Sequence, residues 1–251
     1  IAVNFDFKAM LNTHIESGAD VTAAYIAEEL PASALKHTAN DRGLYYTFAL
    51  TGTRISKIYV NPRDTGVQNF SMNIYCIERK KLIDLINTAF VRGQVYFERD
   101  VLAPHLESLN VQGFKYEGYA ARISDMRSYF EENMKLLDDK NLDALFSGNP
   151  IYTKIRDDNP TRYIPGSNVS NVMAADGCII EGHVENSILF RGVKVGKGAI
   201  VRNCILMQDT VIEDGAIVDY TITDKKVVIS AGKEMKGADT FPLYIAKGHK
   251  V

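Results

Sequence analysis

The sequence predicts an α/β domain followed by a parallel β-helix of hexapeptide repeats. In the first half, strand-length apolar runs alternate with segments whose apolar residues recur every three or four positions, which is typical of α/β folds. From about residue 164 this helical periodicity stops, and aliphatic residues recur every six positions among glycines. A six-residue repeat is typical of a β-helix. The predicted domains are residues 1–145 and 146–251, with the boundary near Phe146.

The elements of the first half follow from periodicity, caps and turns. A helix is predicted to begin after Asp6, a favoured N-cap residue, and to end at Gly18. A second helix ends before Gly93, and a third is capped by Ser124. The predicted strands cover residues 21–26, 44–50, 54–60, 70–77 and 114–121.

The repeat of the second half predicts coils of about 18 residues, because three faces of six residues close a triangular section. In each face one small or aliphatic residue points inward, and stacked coils bury a continuous apolar column. The series that carries the repeat is Val193, Ala199, Ile205, Val211 and Ile217, with a second series at Val195, Val201 and Met207.

Composition excludes several classes of function. The chain has 29 Lys and Arg against 31 Asp and Glu, which argues against binding to nucleic acid. It has no apolar run of about 18 residues, so no membrane span is predicted. Its three widely spaced cysteines (Cys76, Cys178 and Cys204) predict core positions in a reducing cytoplasm. Because the chain begins with Ile1 and not with Met, we expect an upstream part to be missing.

Several stretches resemble segments of the glucose-1-phosphate adenylyltransferases, also called ADP-glucose pyrophosphorylases. Residues 117–119 (EGY) and 128–134 (SYFEENM) resemble their EGYW…SYWEANM segment. Residues 150–153 (PIYT) resemble the start of their C-terminal domain. Residues 185–198 (ENSILFRGVKVGKG) and 70–75 (FSMNIY) resemble their ENSVLFPGVxVGxGA and ASMGIYxF runs.

The resemblance implies a Rossmann-like nucleotidyltransferase domain, N-terminally incomplete in this chain, followed by a left-handed parallel β-helix. The family joins ATP and glucose 1-phosphate into ADP-glucose and releases pyrophosphate. This chemistry requires a divalent metal, usually held by carboxylates, and cationic side chains on the phosphates. The residues at those positions therefore decide what the chain can do.

The first altered position is Asn61. Residues 58–62 (IYVNP) align on their proline with the Glu-Lys-Pro element, whose lysine holds the sugar phosphate in this family. Val60 stands in place of the acid and Asn61 in place of the lysine. A charged hydrogen bond contributes about 1.5–3 kcal/mol against about 1 kcal/mol for a neutral one, so weaker phosphate binding is predicted.

The second altered position is Arg122. Residues 119–125 (YAARISD) align with the family's Tyr-Trp-x-Asp-Val-Gly-Thr element, whose Asp binds the metal. A guanidinium has no lone pair to offer and repels a cation. The other metal-binding Asp would fall at or before Ile1. No catalytic residue, metal ligand or cofactor is therefore assigned to this chain, and Mg²⁺ is expected only in an active partner subunit.

A remnant of the sugar-phosphate pocket is nevertheless expected. Ser71 matches the serine that lies near glucose in this family, whereas Asn73 replaces a glycine and would crowd the site. The remaining expected members are Glu117, Gly118 and Tyr119.

The resemblance therefore implies a noncatalytic GlgD-type subunit of this family, structural and regulatory in glycogen biosynthesis and inactive alone. It implies a catalytic partner subunit, a homo- or heterotetramer, and a phosphorylated metabolite as a candidate effector. Arg122 could hold such an anion, as could the small basic group of Arg191, Lys194 and Lys197, for which a solvated corner is the simpler interpretation.

Three alternatives stay open. The chain could belong to an active transferase with relocated ligands. It could be a noncatalytic scaffold subunit of the wider pyrophosphorylase-like group. It could also be a hexapeptide acyltransferase with His183 as the base, although a corner or surface histidine is the simpler interpretation.

Overall fold

The structure, a computed structural model, describes residues 1–29, 45–62, 64, 66–153 and 156–251. These residues form two compact units. The first unit contains Ile1 and Phe5–Gly118, and the second contains Ala2–Asn4 and Tyr119–Val251. Leu44, at the start of a predicted strand, lies outside the described residues. Strand β1 (Ala2–Val3) belongs to the second unit.

The first unit is built on a closed barrel with the strand order β2-β5-β3-β4-β6. Strands β2 and β6 are parallel, whereas β2–β5, β3–β4, β3–β5 and β4–β6 are antiparallel. This mixed α/β arrangement is consistent with a nucleotidyltransferase-like domain. The elements are α1 (Phe7–Glu16), β2 (Val21–Glu29), β3 (Tyr46–Thr51), β4 (Arg54–Val60), β5 (Val67–Ile77), α2 (Arg79–Val91), a π-helical turn (Phe97–Leu102), a 3₁₀ turn (Ala103–His105) and β6 (Val111–Lys115).

Local signals in the sequence set the ends of α1 as predicted. The Asp6 carboxylate accepts a hydrogen bond from the Ala9 N–H at 2.9 Å, which satisfies one of the free donors of the first turn. Gly18 follows the helix with φ of +58°, a conformation that glycine adopts without steric cost. Met10 is buried, while the helix exposes the apolar side chains Phe7, Leu11 and Ile15.

The predicted strand at 114–121 is wrong as a single element. Strand β6 ends at Lys115, and β7 (Ala120–Ala121) pairs antiparallel with β1 in the second unit. Gly118 lies between them at a close approach, because a Cβ there would lie 2.6 Å from the Tyr116 hydroxyl oxygen.

The third helix begins one residue later than predicted, because Asp125 and not Ser124 provides the cap. The Asp125 carboxylate accepts from the Ser128 N–H at 2.7 Å, and the Ser128 hydroxyl accepts from the Asp125 N–H at 3.0 Å. This reciprocal capping box satisfies donors on both sides of the helix start. The helices here are α3 (Met126–Met134), a 3₁₀ turn (Lys135–Leu137) and α4 (Asp139–Phe146).

The domain boundary predicted near Phe146 stays a prediction. The two compact units divide after Gly118, so α3 belongs to the unit that contains the repeats. The reason is packing, because Phe130 of α3 forms a buried cluster with Ile205 and Ile222.

The repeat region is a parallel β-helix, as predicted. One sheet has the order β18-β15-β12-β10-β8, and another follows β19-β16-β13-β11-β14-β17-β20, with β9 beside β11. The strands are β8 (Arg162–Tyr163), β9 (Asn168–Ala174), β10 (Ile179–Ile180), β11 (His183–Leu189), β12 (Lys194–Val195), β13 (Ile200–Arg202), β14 (Ile205–Leu206), β15 (Val211–Ile212), β16 (Ile217–Asp219), β17 (Thr221–Thr223), β18 (Val228–Ile229), β19 (Glu234–Lys236) and β20 (Leu243–Ile245).

Most coils have 17 residues and not the predicted 18 or so, as in the pairs His183–Ile200 and Ile200–Ile217, whereas the last coil is longer, since Thr221 pairs with Leu243. Asn186 and Asn203 lie on neighbouring coils, 17 residues apart and hydrogen-bonded to each other. Both have positive φ, 47° and 50°, and this left-handed corner closes one face with one residue fewer. Because of the shorter coil, the six-residue series does not follow the inward-facing positions throughout. Val193 and Ala199 lie in the apolar interior, whereas Ile205 packs against Phe130 outside it.

An asparagine ladder runs along this corner. The side-chain amide of Asn171 donates to Asn186 at 2.8 Å, that of Asn186 donates to Asn203 at 2.7 Å, and that of Asn203 donates to Asp219 at 3.0 Å. Asparagine is one of the few residues besides glycine that often adopts left-handed backbone. Asparagine therefore suits both the left-handed backbone of the corner and the side-chain hydrogen bonds between neighbouring coils.

The interior of the β-helix is apolar, and two of the cysteines lie in it. Cys178 and Cys204 are fully buried, as predicted for core positions. Burial raises the pKa of the Cys204 thiol to about 12, so this sulfur stays protonated at neutral pH. Among the described residues, no helix is long and apolar enough to cross a membrane.

Candidate functional site

Ser71, the serine expected near a sugar, is buried in strand β5 of the barrel unit. Its hydroxyl group donates to the Glu98 carboxylate with an oxygen–oxygen distance of 2.5 Å. The same hydroxyl oxygen accepts from the Asn73 N–H at 3.1 Å. The structure thus brings Ser71 and Asn73 together, and adds a carboxylate that the sequence did not indicate.

Asn73 lies in an irregular part of β5. The pairing of β2 with β5 is irregular here, because Ala23 pairs with Tyr75 whereas Tyr25 pairs with Ser71. Asn73 lies between these two partners and has φ of +55°. Asparagine tolerates this backbone better than most residues, which accounts for its presence where the resembling family has glycine. The Asn73 residue is exposed. Whether it crowds a bound sugar stays a prediction.

Glu98 is the most buried acidic residue of the barrel unit that the structure describes, with 4% of its surface exposed. It lies on the π-helical turn, and π-helical turns often occur at functional sites. Burial, followed by the charge of Glu98, raises the pKa of Tyr75. Burial and the same charge raise the pKa of Tyr46 to about 12.

No pattern in the sequence indicates a role for Glu98. Its neighbours Phe97 and Arg99 belong to no recognised repeat or cap, and the carboxylate meets Ser71 across 27 residues of chain. Phe97 also packs edge-on against the Tyr75 ring, with centroids 5.2 Å apart. Only the folded barrel places this turn against strand β5.

Asn61 has a structural role at the end of strand β4. Its backbone has φ of +46°, and its N–H donates to the Tyr45 carbonyl at 2.9 Å. Its side-chain oxygen accepts from the Tyr45 N–H, also at 2.9 Å. The Tyr45 hydroxyl in turn donates to the Pro62 carbonyl at 2.6 Å. Asn61 therefore extends the β3–β4 pairing by one residue pair at the open end of the hairpin, opposite its turn.

Two further members of the expected remnant lie at the end of the barrel unit. Glu117 is exposed and forms an ion pair with Lys115 at 2.7 Å, which lowers the pKa of the carboxyl group. Gly118 follows, and its lack of a side chain leaves room for the Tyr116 ring. Neither residue makes a described hydrogen bond to Ser71.

Tyr119 and Arg122 belong to the second unit. The Tyr119 hydroxyl donates to the Glu132 carboxylate at 3.0 Å, and burial followed by this charge raises the pKa of the tyrosine. This bond joins the two parts of the EGY and SYFEENM resemblance. Arg122 is half-buried directly after β7, so a guanidinium stands where the resemblance expects a carboxylate.

No cluster of three or more His, Cys, Asp or Glu side chains suited to a metal lies within the described ranges. That no metal or cofactor binds this chain stays a prediction.

The β-helix holds the remaining candidates. His183 lies half-buried on β11 with its Nε2 atom 3.5 Å from the Glu185 carboxylate. A cleft of about 230 Å³ lies near Arg191, Arg156 and Arg162. Asp158 lies between two of these arginines, 3.0 Å from Arg156 and 3.9 Å from Arg191. The acid therefore compensates part of the positive charge. Lys194 and Lys197 do not line this cleft.

Comparison with known proteins gives one family model and a set of curated relatives. Residues 156–240 match the model described as GlmU-like, C-terminal hexapeptide. The glycogen biosynthesis protein GlgD of Bacillus subtilis (strain 168) is 37% identical over 179 residues, which cover 71% of this chain and 52% of the relative.

Two relatives come from Geobacillus stearothermophilus. Its glycogen biosynthesis protein GlgD is 37% identical over 200 residues, covering 79% of this chain and 46% of the relative. Its glucose-1-phosphate adenylyltransferase is 30% identical over 204 residues, covering 78% and 50%. The chain thus spans about half the length of these relatives. The comparisons confirm the resemblance inferred from the sequence: the chain is similar to GlgD proteins and glucose-1-phosphate adenylyltransferases, and it carries a hexapeptide-repeat domain.

Proposed function

We propose that this chain is part of a noncatalytic, regulatory and structural subunit of glucose-1-phosphate adenylyltransferase, acting in glycogen biosynthesis. The observation that best supports this is the use of Asn61. At the position where the resemblance expects a phosphate-binding lysine, the side-chain oxygen instead accepts the Tyr45 N–H at 2.9 Å. The position therefore carries no charge, and its amide oxygen is engaged by the backbone of the hairpin.

Arg122 supports the same proposal. Transfer from a nucleotide needs a metal that bridges and neutralises phosphate oxygens. A guanidinium in place of the expected carboxylate cannot bind that metal. The two substitutions together remove one positive charge and reverse one negative charge at the positions that the chemistry needs.

The relatives support the pathway and the class of partner. Two of them are named glycogen biosynthesis protein GlgD, and one is named glucose-1-phosphate adenylyltransferase. We infer that the partner is a catalytic adenylyltransferase subunit in a mixed tetramer, and that the subunit tunes the response of that partner to a phosphorylated metabolite.

A second candidate is an active adenylyltransferase. It is favoured by the 30% identity to the Geobacillus stearothermophilus enzyme. The two proposals differ in what the protein does without a partner.

The experiment measures pyrophosphate release from ATP, glucose 1-phosphate and Mg²⁺ by the full-length protein, alone and with its catalytic partner. We expect no turnover above background for the protein alone, because a neutral amide replaces the expected lysine and a guanidinium replaces the expected carboxylate. We expect the mixed complex to respond differently to substrates or effectors from the partner alone. Robust turnover by the isolated protein would overturn the proposal and establish the second candidate.

A further inference from the structure

We propose that Glu98 is a specificity-determining residue that acts against sugar-phosphate binding, because its buried carboxylate engages the Ser71 hydroxyl group that a sugar would use. The inference rests on the proposed function, because it takes Ser71 as the serine that would face the sugar. It adds a cause of impaired binding that is independent of Asn61 and Arg122.

The hydrogen bonds of Ser71 carry the first step. A serine hydroxyl has a single proton to donate, and that proton is directed to Glu98 at 2.5 Å. The Ser71 oxygen also accepts the Asn73 N–H at 3.1 Å. A sugar hydroxyl that needed the Ser71 proton would have to displace the carboxylate.

The position of the carboxylate is fixed by the π-helical turn that carries it. Val101 and Leu102 of this turn are buried in the barrel unit. At the start of the turn, the Asp100 carboxylate accepts from the Val95 and Tyr96 N–H groups at 3.0 and 2.9 Å. Glu98 itself is only 4% exposed. Displacing it would therefore require rearrangement of an anchored turn and not the rotation of a surface side chain.

The test is a calorimetric titration of the full-length protein with glucose 1-phosphate, comparing the native protein with Glu98→Ala and Glu98→Gln. The alanine variant removes the carboxyl group and its volume, and the nearly isosteric glutamine variant keeps one acceptor oxygen. We expect Glu98→Ala to bind about tenfold more tightly, since one regained hydrogen bond is of the order of that factor. We expect Glu98→Gln to gain a smaller factor, about threefold, because its remaining side-chain oxygen can still accept the Ser71 proton. The control is Glu107→Gln, an exposed acid of the same unit, which should leave the affinity unchanged.

Thermal unfolding of each variant checks that it is folded. The proposal is overturned if folded Glu98→Ala binds no more tightly than the native protein, or if Glu107→Gln gains as much. If the alanine variant does not fold, the nearly isosteric glutamine variant decides alone, and unchanged affinity overturns the proposal. These results are separate from the proposed function, which fails only if the native protein turns over without a partner.

Discussion

The β-helix and the barrel differ in how far along the chain their contacts reach. In the β-helix, each strand pairs with the strand one coil away, as Lys194 does with Ile179 and Val211. In the barrel, the Asp20 carboxylate accepts from the Asn110 N–H across 90 residues. A periodic structure repeats its environment, so its sequence repeats as well. A barrel combines distant segments once, so no repeat records their contacts.

The largest expected effect tests which residues face the β-helix interior. Ile212 is fully buried, whereas Ile217, a member of the predicted six-residue series, is half-buried. We expect Ile212→Ala to lower the free energy of unfolding by about 2–5 kcal/mol, because it leaves a cavity in the column. The same change at Ile217 should cost about 1 kcal/mol or less. Urea denaturation measures both values. Equal losses would mean that the 17-residue coil is not the true register.

A smaller effect is expected at a non-local contact of the barrel. A Cβ at Gly113 of β6 would lie 2.7 Å from the side chain of Leu50 and 2.9 Å from that of Tyr25. We expect Gly113→Ala to lower the free energy of unfolding by about 1–3 kcal/mol through overpacking. Gly148→Ala is the matched control, since its Cβ would lie 3.6 Å from the Asn4 side chain and should cost about 0.5 kcal/mol or less. Similar losses at both glycines would contradict the close packing of the barrel.

The smallest effect concerns acid sensitivity of the barrel unit. Lys81 hydrogen-bonds to Asp20, and this bond, followed by the Asn110 N–H, lowers the pKa of the Asp20 carboxyl below its usual value. A lowered folded-state pKa gives stability that is present above the unfolded pKa of about 3.9 and is lost as pH falls through the folded pKa. We expect Asp20→Asn to cost about 1 kcal/mol at pH 7.

The same prediction fixes how the cost should vary with pH. The difference between native protein and Asp20→Asn should shrink below about pH 4, where the carboxyl group of the unfolded chain becomes protonated, and should go on shrinking as pH falls through the lowered folded-state pKa. Chemical denaturation at several pH values measures this. If the difference stays constant down to pH 2, the ion pair between Asp20 and Lys81 is not its cause.

The accuracy of the sequence-based predictions follows the same division. The Asp6 cap and the β-helix were predictable, because both depend on residues within a few positions or on a repeat. The cap at Asp125 was missed by one residue, since Ser124 and Asp125 are both favoured N-caps and only the bond to Ser128 distinguishes them. The 17-residue coil was missed because a left-handed corner at Asn203 carries no apolar signal.

The candidate site shows more clearly which features cannot be predicted from the sequence. Ser71, Asn61 and Arg122 were found by resemblance along the chain, but their roles in the pocket stay predictions. Glu98 was not found at all, although it makes the 2.5 Å contact to Ser71. A buried acid has no periodic pattern, and its partners are chosen by the path of the chain and not by adjacent residues.

By itself the sequence determined the two-part organisation, the hexapeptide coils and the two positions where expected charges are altered. These depend on residue type, short spacing and resemblance along the chain. The tertiary structure decided that Asn61 extends the pairing of a hairpin, that Glu98 meets Ser71, and that α3 packs with the coils. Each of these is a packing or hydrogen-bonding choice between segments distant in sequence. Such choices are settled by the burial of polar and apolar groups in the folded chain.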